Sequence, residues 1–280
     1  EVRALRAFCW LDAIDNFGNV PFADENNAIG ELPARITRAD LFSYIEKECT
    51  ELLKGSDLFD YAASPYGRAN KGFVTMILAK LYLNAEVYIG TPKYQDCVNV
   101  LKNLDASYSL HDNFQELFLA DNNKCTDELI FTIEQDGNDV QSYGVTNYLI
   151  FACTGGAMDA AAMGISSGWG GLRTTRQMYE KFSDDDARKL FWTEGHNIDI
   201  EKISEFTEGY AMMKFKNVNS DGSAAKANGF VDVDFPVFRY ADALLMKAEC
   251  ELRGATGADG LASYNLVRGR AGLPVASSYT

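Results

Sequence analysis

The chain has 280 residues, of which 47% are hydrophobic, so it is long enough to bury a substantial core in one or two domains. Its net charge of −14 argues against nucleic-acid binding and against electrostatic docking to an anionic membrane, because both need concentrated Lys and Arg. The sequence contains no uninterrupted apolar run of about 18 residues, so no membrane-spanning helix is predicted.

Helical periodicity dominates the first third of the chain. Thr37 and Asp40 form a capping pair at the start of a helix predicted over residues 38–53. The longest helix is predicted over residues 66–88, and a Gly/Pro break separates it from a shorter amphipathic run at residues 94–104. Two helices joined by a tight turn predict an antiparallel hairpin of the tetratricopeptide kind.

The middle of the chain has a different character, because helical periodicity weakens between residues 111 and 237 while Gly and polar residues increase. Residues 129–133 alternate like a strand, whereas residues 138–144 and 166–171 have the composition of irregular, exposed loops. Binding sites favour loops of this type because a rigid frame can position them. We therefore expect any ligand site to lie in this middle segment.

A second helical hairpin is predicted over residues 240–272. Gly254 ends its first helix, and a second amphipathic run begins at about Leu261. The apolar positions of the first helix are predicted to share one face and are Ala241, Leu244, Leu245, Ala248 and Leu252.

Several sequence blocks spread along the chain resemble one known family. In order, the blocks are EVRALRAF at 1–8, FGNVPF at 17–22, GRANKG at 67–72, AKLYLNA at 79–85, DELIFTI at 127–133, PVFRYADALLMKAE at 236–249 and YNLVRGRAGLP at 264–274. They resemble motifs of the SusD/RagB family, the surface glycan-binding lipoproteins of Bacteroidetes. The matching blocks extend over nearly the whole sequence.

The resemblance implies a predominantly α-helical fold, a tetratricopeptide-like scaffold of helical hairpins with irregular loop-rich inserts and a few short strands. Residues 1–110 are expected to form the scaffold, residues 111–237 a ligand-binding insert, and residues 238–280 a second hairpin of the same scaffold. These parts are expected to make one composite domain that is truncated at both ends.

The resemblance also implies a function without catalysis. A family member would bind a starch-like oligosaccharide or polysaccharide at the cell surface and deliver it to a SusC-like TonB-dependent transporter. It would be held on the extracellular face of the outer membrane by a lipid anchor outside this sequence, and no cofactor is expected. A peptide-binding uptake component, as among RagB-like relatives, remains an open alternative.

Four residues are candidates for ligand contact. Trp169 is flanked by three glycines, so its ring is expected to project, and a flat indole suits the apolar face of a sugar ring. The alternative is that Trp169 packs inward as a core residue. Arg173 and Asn147 could supply hydrogen bonds to sugar hydroxyls. Trp169 and Tyr143 also resemble, by position, aromatic residues that contact starch in the family.

A serine hydrolase is the remaining enzyme hypothesis. Ser166 lies in a G-x-S-x-G motif, and the acidic run 184–186 and then His196 follow it in the order typical of α/β-hydrolases. However, no β-branched run precedes Ser166, so the strand that a nucleophile elbow needs is not predicted. We therefore predict no catalytic residues.

No metal site is predicted either. The sequence has two histidines and six cysteines at wide spacings without a C-x-x-C motif, which does not suit zinc. Neither the acidic run 184–186 nor the pair Asp232 and Asp234 matches a calcium-binding loop with a closing bidentate Glu. Cys49, Cys97 and Cys250 lie in helical patterns, where buried free thiols are expected.

Overall fold

The computed structural model describes residues 1–279, which divide into two compact units. Among the described residues, the first unit consists of residues 1–109, residues 238–265 and residues 276–279. The second unit consists of residues 110–237 and residues 266–275. Each unit is therefore built from segments that are far apart in the sequence.

Helix greatly exceeds strand in the described residues, so the fold is predominantly α-helical, as predicted. The helices are α1 (Val2–Phe17), α2 (Arg38–Lys54), α3 (Lys71–Leu83), α4 (Ala85–Ile89), α5 (Tyr94–Leu101), α6 (Val145–Cys153), α7 (Arg176–Tyr179), α8 (Tyr240–Leu252) and α9 (Gly260–Arg270). The strands are β1 (Val20–Pro21), β2 (Arg35–Ile36), β3 (Leu129–Ile133), β4 (Phe191–Trp192), β5 (Ala211–Met212) and β6 (Phe235–Arg239).

The strands form three small sheets of two strands each within the part of the chain that the structure describes. β1 pairs with β2 and β4 pairs with β5, both antiparallel, and β3 pairs with β6. The strand predicted at residues 129–133 is confirmed as β3. Because β1 and β2 lie near residues 20 and 35, strands are not confined to the middle of the sequence.

The helices of the first unit pack around α3. α2 and α5 both contact α3, α1 packs on α2, and α5 packs on α8. Helix α3 buries Phe73, Ile77 and Leu81 completely, and most of its other residues are buried as well. A helix that is apolar on all sides is stable only when neighbours cover it. These helices form the predicted hairpin scaffold.

Side-chain caps define where two of these helices begin. The Thr37 hydroxyl oxygen accepts from the Asp40 N–H at 3.2 Å, so the predicted start of α2 is confirmed. The Asn70 side-chain oxygen accepts from the Phe73 N–H at 2.9 Å at the start of α3. Each cap satisfies an N–H group that has no partner within the helix, which is typically worth about 1 kcal/mol.

The prediction of one long helix over residues 66–88 is wrong. Helix α3 begins only at Lys71, and Asn84 separates it from the short helix α4. The Asn84 side chain donates to the Lys80 carbonyl at 3.0 Å, a local bond that competes with the regular helical pattern. With 17 residues, α2 is longer than α3.

The buried surface of helix α8 differs from the predicted apolar face. Leu245 and Leu252, which were expected on that face, are 41% and 62% exposed. Lys247 is buried instead, and its ammonium group forms an ion pair with Asp105. The Tyr240 hydroxyl donates to the same carboxylate at 2.9 Å. This pairing explains how a lysine can be buried, because an unpaired buried charge would be costly.

The second unit is rich in loops, and its core lies around α6 and β5. Ile150, Phe151, Met163, Ala211 and Val233 belong to this core. Buried amide side chains satisfy the irregular backbone around it. For example, the Asn217 side chain donates to the carbonyls of Gly164 and Ala227 at 2.9 and 2.8 Å. Such bonds replace a regular hydrogen-bond ladder, because buried backbone groups need partners.

Candidate functional site

Trp169 lies on a glycine-rich loop, residues 168–171, that packs against the C-terminal end of α6. Three N–H groups of this loop donate to carbonyls near that end: Trp169 to Phe151 at 2.8 Å, Gly170 to Thr154 at 2.9 Å and Gly171 to Ala152 at 2.8 Å. The last carbonyls of a helix have no partners within the helix, so the loop satisfies groups that would otherwise be unpaired. These bonds fix the backbone that carries the indole ring.

Gly168 allows this close approach. A β-carbon at Gly168 would lie 2.1 Å from the Thr154 carbonyl oxygen, which is far inside normal contact distance. A β-carbon at Gly171 would lie 3.7 Å from the Ala152 carbonyl oxygen, an ordinary contact. The glycines that suggested a projecting tryptophan in the sequence therefore also serve to pack the loop backbone against α6.

The Trp169 ring is partly buried and partly free. Its centroid lies 5.0 Å from that of Phe151, which belongs to the core, and the side chain is still 45% exposed. Both sequence hypotheses therefore describe part of the arrangement. Phe151 supports the indole, and the remaining surface is available for contact.

Two exposed tyrosines flank Trp169. The ring of Tyr143 lies 6.5 Å and that of Tyr148 lies 6.2 Å from the Trp169 ring, measured between centroids, and the two tyrosines are 71% and 45% exposed. Tyr143 also contacts Phe230 at 5.0 Å. We call Tyr143, Tyr148 and Trp169 the aromatic surface. It presents three rings, tilted relative to one another, at one place on the second unit.

Tyr148 was not among the predicted site residues. It lies three residues before Phe151 on α6, so the two side chains share a helix face and both reach Trp169. The signal in the sequence was this spacing, and it becomes informative only when residues 145–153 are known to be helical.

Arg173 supports the loop. Its guanidinium donates to the carbonyls of Gly171 at 3.1 Å and Ile203 at 2.8 Å, and it lies over the Phe206 ring. Two of its donors are therefore occupied by the backbone. The arrangement makes Arg173 a brace for the segment that carries Trp169.

The structure does not place Asn147 on the aromatic surface. Its side chain is completely buried, and neither amide atom has a hydrogen-bond partner among the described residues. Asn147 precedes Tyr148 on α6, and successive helix positions point in different directions. The expectation that Asn147 bonds a ligand beside Trp169 is therefore not consistent with its burial.

The residues of the hydrolase hypothesis do not come together. Ser166 is exposed in a segment without strand structure, and its hydroxyl has no bond to His196 within the described chain. The His196 ring binds the Gly209 carbonyl at 2.8 Å through Nδ1. Asp186 pairs with Arg188, which lowers the pKa of that carboxyl, and Asp184 pairs with Lys189. Two of the carboxylates that could orient His196 are thus paired with other side chains, and the His196 Nδ1 contacts a backbone carbonyl instead of a carboxylate.

The acidic residues considered for calcium hold the backbone instead. Asp232 accepts from the N–H groups of Gly137 and Lys226 at 2.8 and 2.7 Å, and Asp234 accepts from Gln135 N–H at 2.7 Å. Residues 1–279 contain no cluster of three or more His, Cys, Asp or Glu that could hold a metal ion. In the same range, no helix is both long and apolar enough to cross a bilayer.

The comparisons with known proteins fit this fold. A model of the SusD family matches residues 192–279. The starch-binding protein SusD of Bacteroides thetaiotaomicron is 29% identical, and the match covers 97% of this chain and 57% of that protein. The chain therefore spans little more than half the length of this curated relative.

Solved structures share the fold at low sequence identity. A SusD-like carbohydrate binding protein from Bacteroides fragilis superposes with a TM-score of 0.78 at 20% identity, covering 100% of this chain and 60% of the other. The surface glycan-binding protein A from Bacteroides thetaiotaomicron, solved in complex with laminarihexaose, has a TM-score of 0.76 at 21% identity, with coverage of 100% and 62%. The chain is therefore similar to SusD-family proteins in sequence and shares the fold of these solved structures.

Proposed function

We propose that this chain forms part of a non-catalytic glycan-binding protein that captures starch-like oligosaccharides or polysaccharides through the aromatic surface. The observation that carries the proposal is the set of three exposed rings around Trp169, which Phe151 supports from below. Aromatic rings favour the apolar faces of sugars, and each contact is individually modest, about 1 kcal/mol beyond area burial. Affinity therefore rests on several rings acting on one chain of sugars.

Two relatives support a glycan as the ligand. The curated relative is named a starch-binding protein, and one structural neighbour was solved with laminarihexaose. Tilted rings cannot all stack on one flat sugar, so they suit a chain whose successive units change direction. Interplanar angles of 41° and 52° between Trp169 and the two tyrosines favour such a curved ligand.

Binding without hydrolysis is part of the proposal. Among the described residues no hydrogen bond joins Ser166 to His196, whose Nδ1 contacts the Gly209 carbonyl, and this supports the proposal because a serine nucleophile needs a base within hydrogen-bond reach. We further propose that the bound glycan passes to a SusC-like TonB-dependent transporter, with the protein held on the extracellular face of the outer membrane. These two points are supported by the similarity to the SusD family.

Calorimetric titration with soluble starch, laminarihexaose and a mixture of short peptides tests the ligand. We expect starch to bind and both Trp169→Ala and Tyr143→Ala to weaken binding about tenfold, as loss of a stacking ring implies. The matched control is Phe59→Ala, since Phe59 in the first unit is 44% exposed and lies outside the aromatic surface.

Three results would contradict the proposal. Peptide binding without glycan binding would identify the alternative cargo. Unchanged starch affinity in a folded Trp169→Ala variant would remove Trp169 from the site. Release of sugars or hydrolysis of an ester substrate that Ser166→Ala abolishes would establish a hydrolase.

A further inference from the structure

A pocket of about 400 Å³ lies in the second unit, separate from the aromatic rings. Its lining residues are Ala161, Gly164, Ile165, Ala224, Ala225, Lys226, Ala227 and Asn228. The volume falls in the range of small-molecule sites, which is about 300–1,000 Å³. Because most of these side chains are Ala or Gly, the lining leaves space that larger side chains would fill.

One wall of the pocket is formed by residues 161–165 and the other by residues 224–228, and hydrogen bonds join the two walls. The buried Asn217 amide donates to Gly164 on one wall and to Ala227 on the other, at 2.9 and 2.8 Å. Ser166 N–H donates to the Asn228 carbonyl at 2.9 Å, which joins the walls a second time. The pocket is therefore preformed, as ligand sites usually are.

Each wall of the pocket is close along the chain to a residue that belongs to the aromatic surface or contacts it. Trp169 comes four positions after Ile165 in the sequence, a distance of at most about 14 Å for an extended chain. On the other wall, Asn228 is followed two residues later by Phe230, which contacts the Tyr143 ring at 5.0 Å. A single extended ligand can therefore reach the rings and the pocket together.

The polar groups of the pocket suit a neutral ligand rich in hydroxyl groups. The Lys226 ammonium is already paired with the Asp136 carboxylate, so a charged ligand would find no free counter-charge there. The exposed Asn228 side chain forms no hydrogen bond with the described residues. Its amide can both donate to and accept from a hydroxyl.

We propose that this pocket is a second contact site for the same glycan, which takes sugar units beyond those on the aromatic surface. The inference rests on the proposed function, since it assumes a glycan ligand. It assigns the Asn228 amide to a sugar hydroxyl and the alanine-lined wall to the apolar edge of a sugar ring. Chain length then becomes a determinant of affinity.

The test compares maltotriose with maltoheptaose, a short and a long chain of the same sugar, by calorimetric titration. Asn228→Ala removes the amide without breaking an intramolecular bond, and Ala161→Trp fills the pocket from an exposed wall position. Both variants are expected to weaken maltoheptaose binding about fivefold and to change maltotriose binding by less than about twofold. The matched controls, Asn123→Ala and Ala106→Trp, alter exposed residues outside the lining and should leave both affinities unchanged.

The outcomes separate this inference from the proposed function. If the unsubstituted protein binds neither maltoheptaose nor starch, the proposed function and the pocket assignment both fail. If it binds maltoheptaose, and Asn228→Ala in a folded protein leaves that affinity within about twofold, the pocket assignment alone is overturned. An equal loss of affinity for both chain lengths would likewise overturn the assignment of the pocket to additional sugar units.

Discussion

At the scale of single residues, Trp169 combines support from the core with exposure to solvent. The Phe151 contact and the backbone bond to the same residue hold the indole in place, so little conformational entropy remains to be lost when a ligand binds. A fully exposed tryptophan would lack this preorganisation, and a fully buried one could not contact a ligand. The intermediate position is consistent with the proposed contact between Trp169 and a glycan.

Trp169→Ala should therefore lower the free energy of unfolding by about 1–2 kcal/mol, less than the 3–5 kcal/mol typical of removing a buried tryptophan. The reason is that 45% of the side chain is exposed and contributes little to the core. Urea denaturation followed by circular dichroism measures the change. A loss above about 3 kcal/mol would mean that the residue acts mainly as a core anchor.

His111 provides a pH-dependent contribution to stability in the second unit. Its Nδ1 lies 3.0 Å from Asp127 and its Nε2 lies 3.0 Å from Glu116. Although burial alone would lower the pKa of His111, hydrogen bonds and charge from Glu116 and Asp127 raise it above its ordinary value of about 6.5. Both ring nitrogens can donate to carboxylates only in the charged imidazolium.

A group whose pKa is raised by folding stabilises the protein fully below its unfolded pKa and loses that effect as the pH rises through its folded pKa. The His111 contribution should therefore be complete below about pH 6.5 and decline above it. We expect thermal unfolding midpoints of the wild type and His111→Gln to differ most at low pH and to converge as the pH increases. A constant difference across this range would contradict the assignment.

At the scale of elements, α6 and the loop at residues 168–171 together build the aromatic surface around Trp169. The helix supplies Tyr148 and Phe151, and its terminal carbonyls hold the loop that carries Trp169. The absence of a side chain at Gly168 permits the loop to lie this close to Thr154. The geometry of the aromatic surface thus depends on a residue that cannot contact a ligand through its own side chain.

Gly168→Ala should cost about 1–3 kcal/mol of stability, the usual range for overpacking, because the added methyl group would meet the Thr154 carbonyl oxygen. It should also weaken glycan binding by displacing Trp169. Gly171→Ala is the matched control, since its β-carbon has room and only a small change is expected. Equal thermal stability of the two variants would show that the loop does not depend on the close approach.

At the scale of the whole molecule, the C-terminal segment 266–275 completes the second unit, although most of that unit lies between residues 110 and 237. Arg270 makes the connection. Its guanidinium binds Glu128 at 2.5 Å and the His111 carbonyl at 3.2 Å, and both charged side chains are almost completely buried. The sequence block around Arg270 therefore has a structural role in addition to any family signature.

Arg270→Ala should reduce the free energy of unfolding by about 3–5 kcal/mol, because it leaves the buried Glu128 carboxylate without its counter-charge. The control is Lys47→Ala, which removes an exposed ion pair with Glu51 on α2 and should cost no more than about 0.5 kcal/mol. Denaturant titration of both variants provides the comparison. Similar losses in the two variants would contradict the importance of the buried pair.

The sequence by itself determined the helical scaffold, its capped start at Thr37, strand β3 and the candidate Trp169. Capping residues, periodic apolar positions and glycine-flanked aromatic residues are local signals, so they can be interpreted without knowing what lies nearby in space. The family blocks added the fold and an expected ligand class. The role of residues 111–237 as a ligand-binding insert remains a prediction.

Tertiary structure alone decided what surrounds Trp169. Helix α6 has a nearly continuous apolar sequence and no side-chain cap, so it offered neither amphipathic periodicity nor a start signal. Without that helix, the proximity of Tyr148, the burial of Asn147 and the brace formed by Arg173 could not be derived. Each depends on contacts between residues distant in sequence, and the pattern of a single chain does not encode such contacts locally.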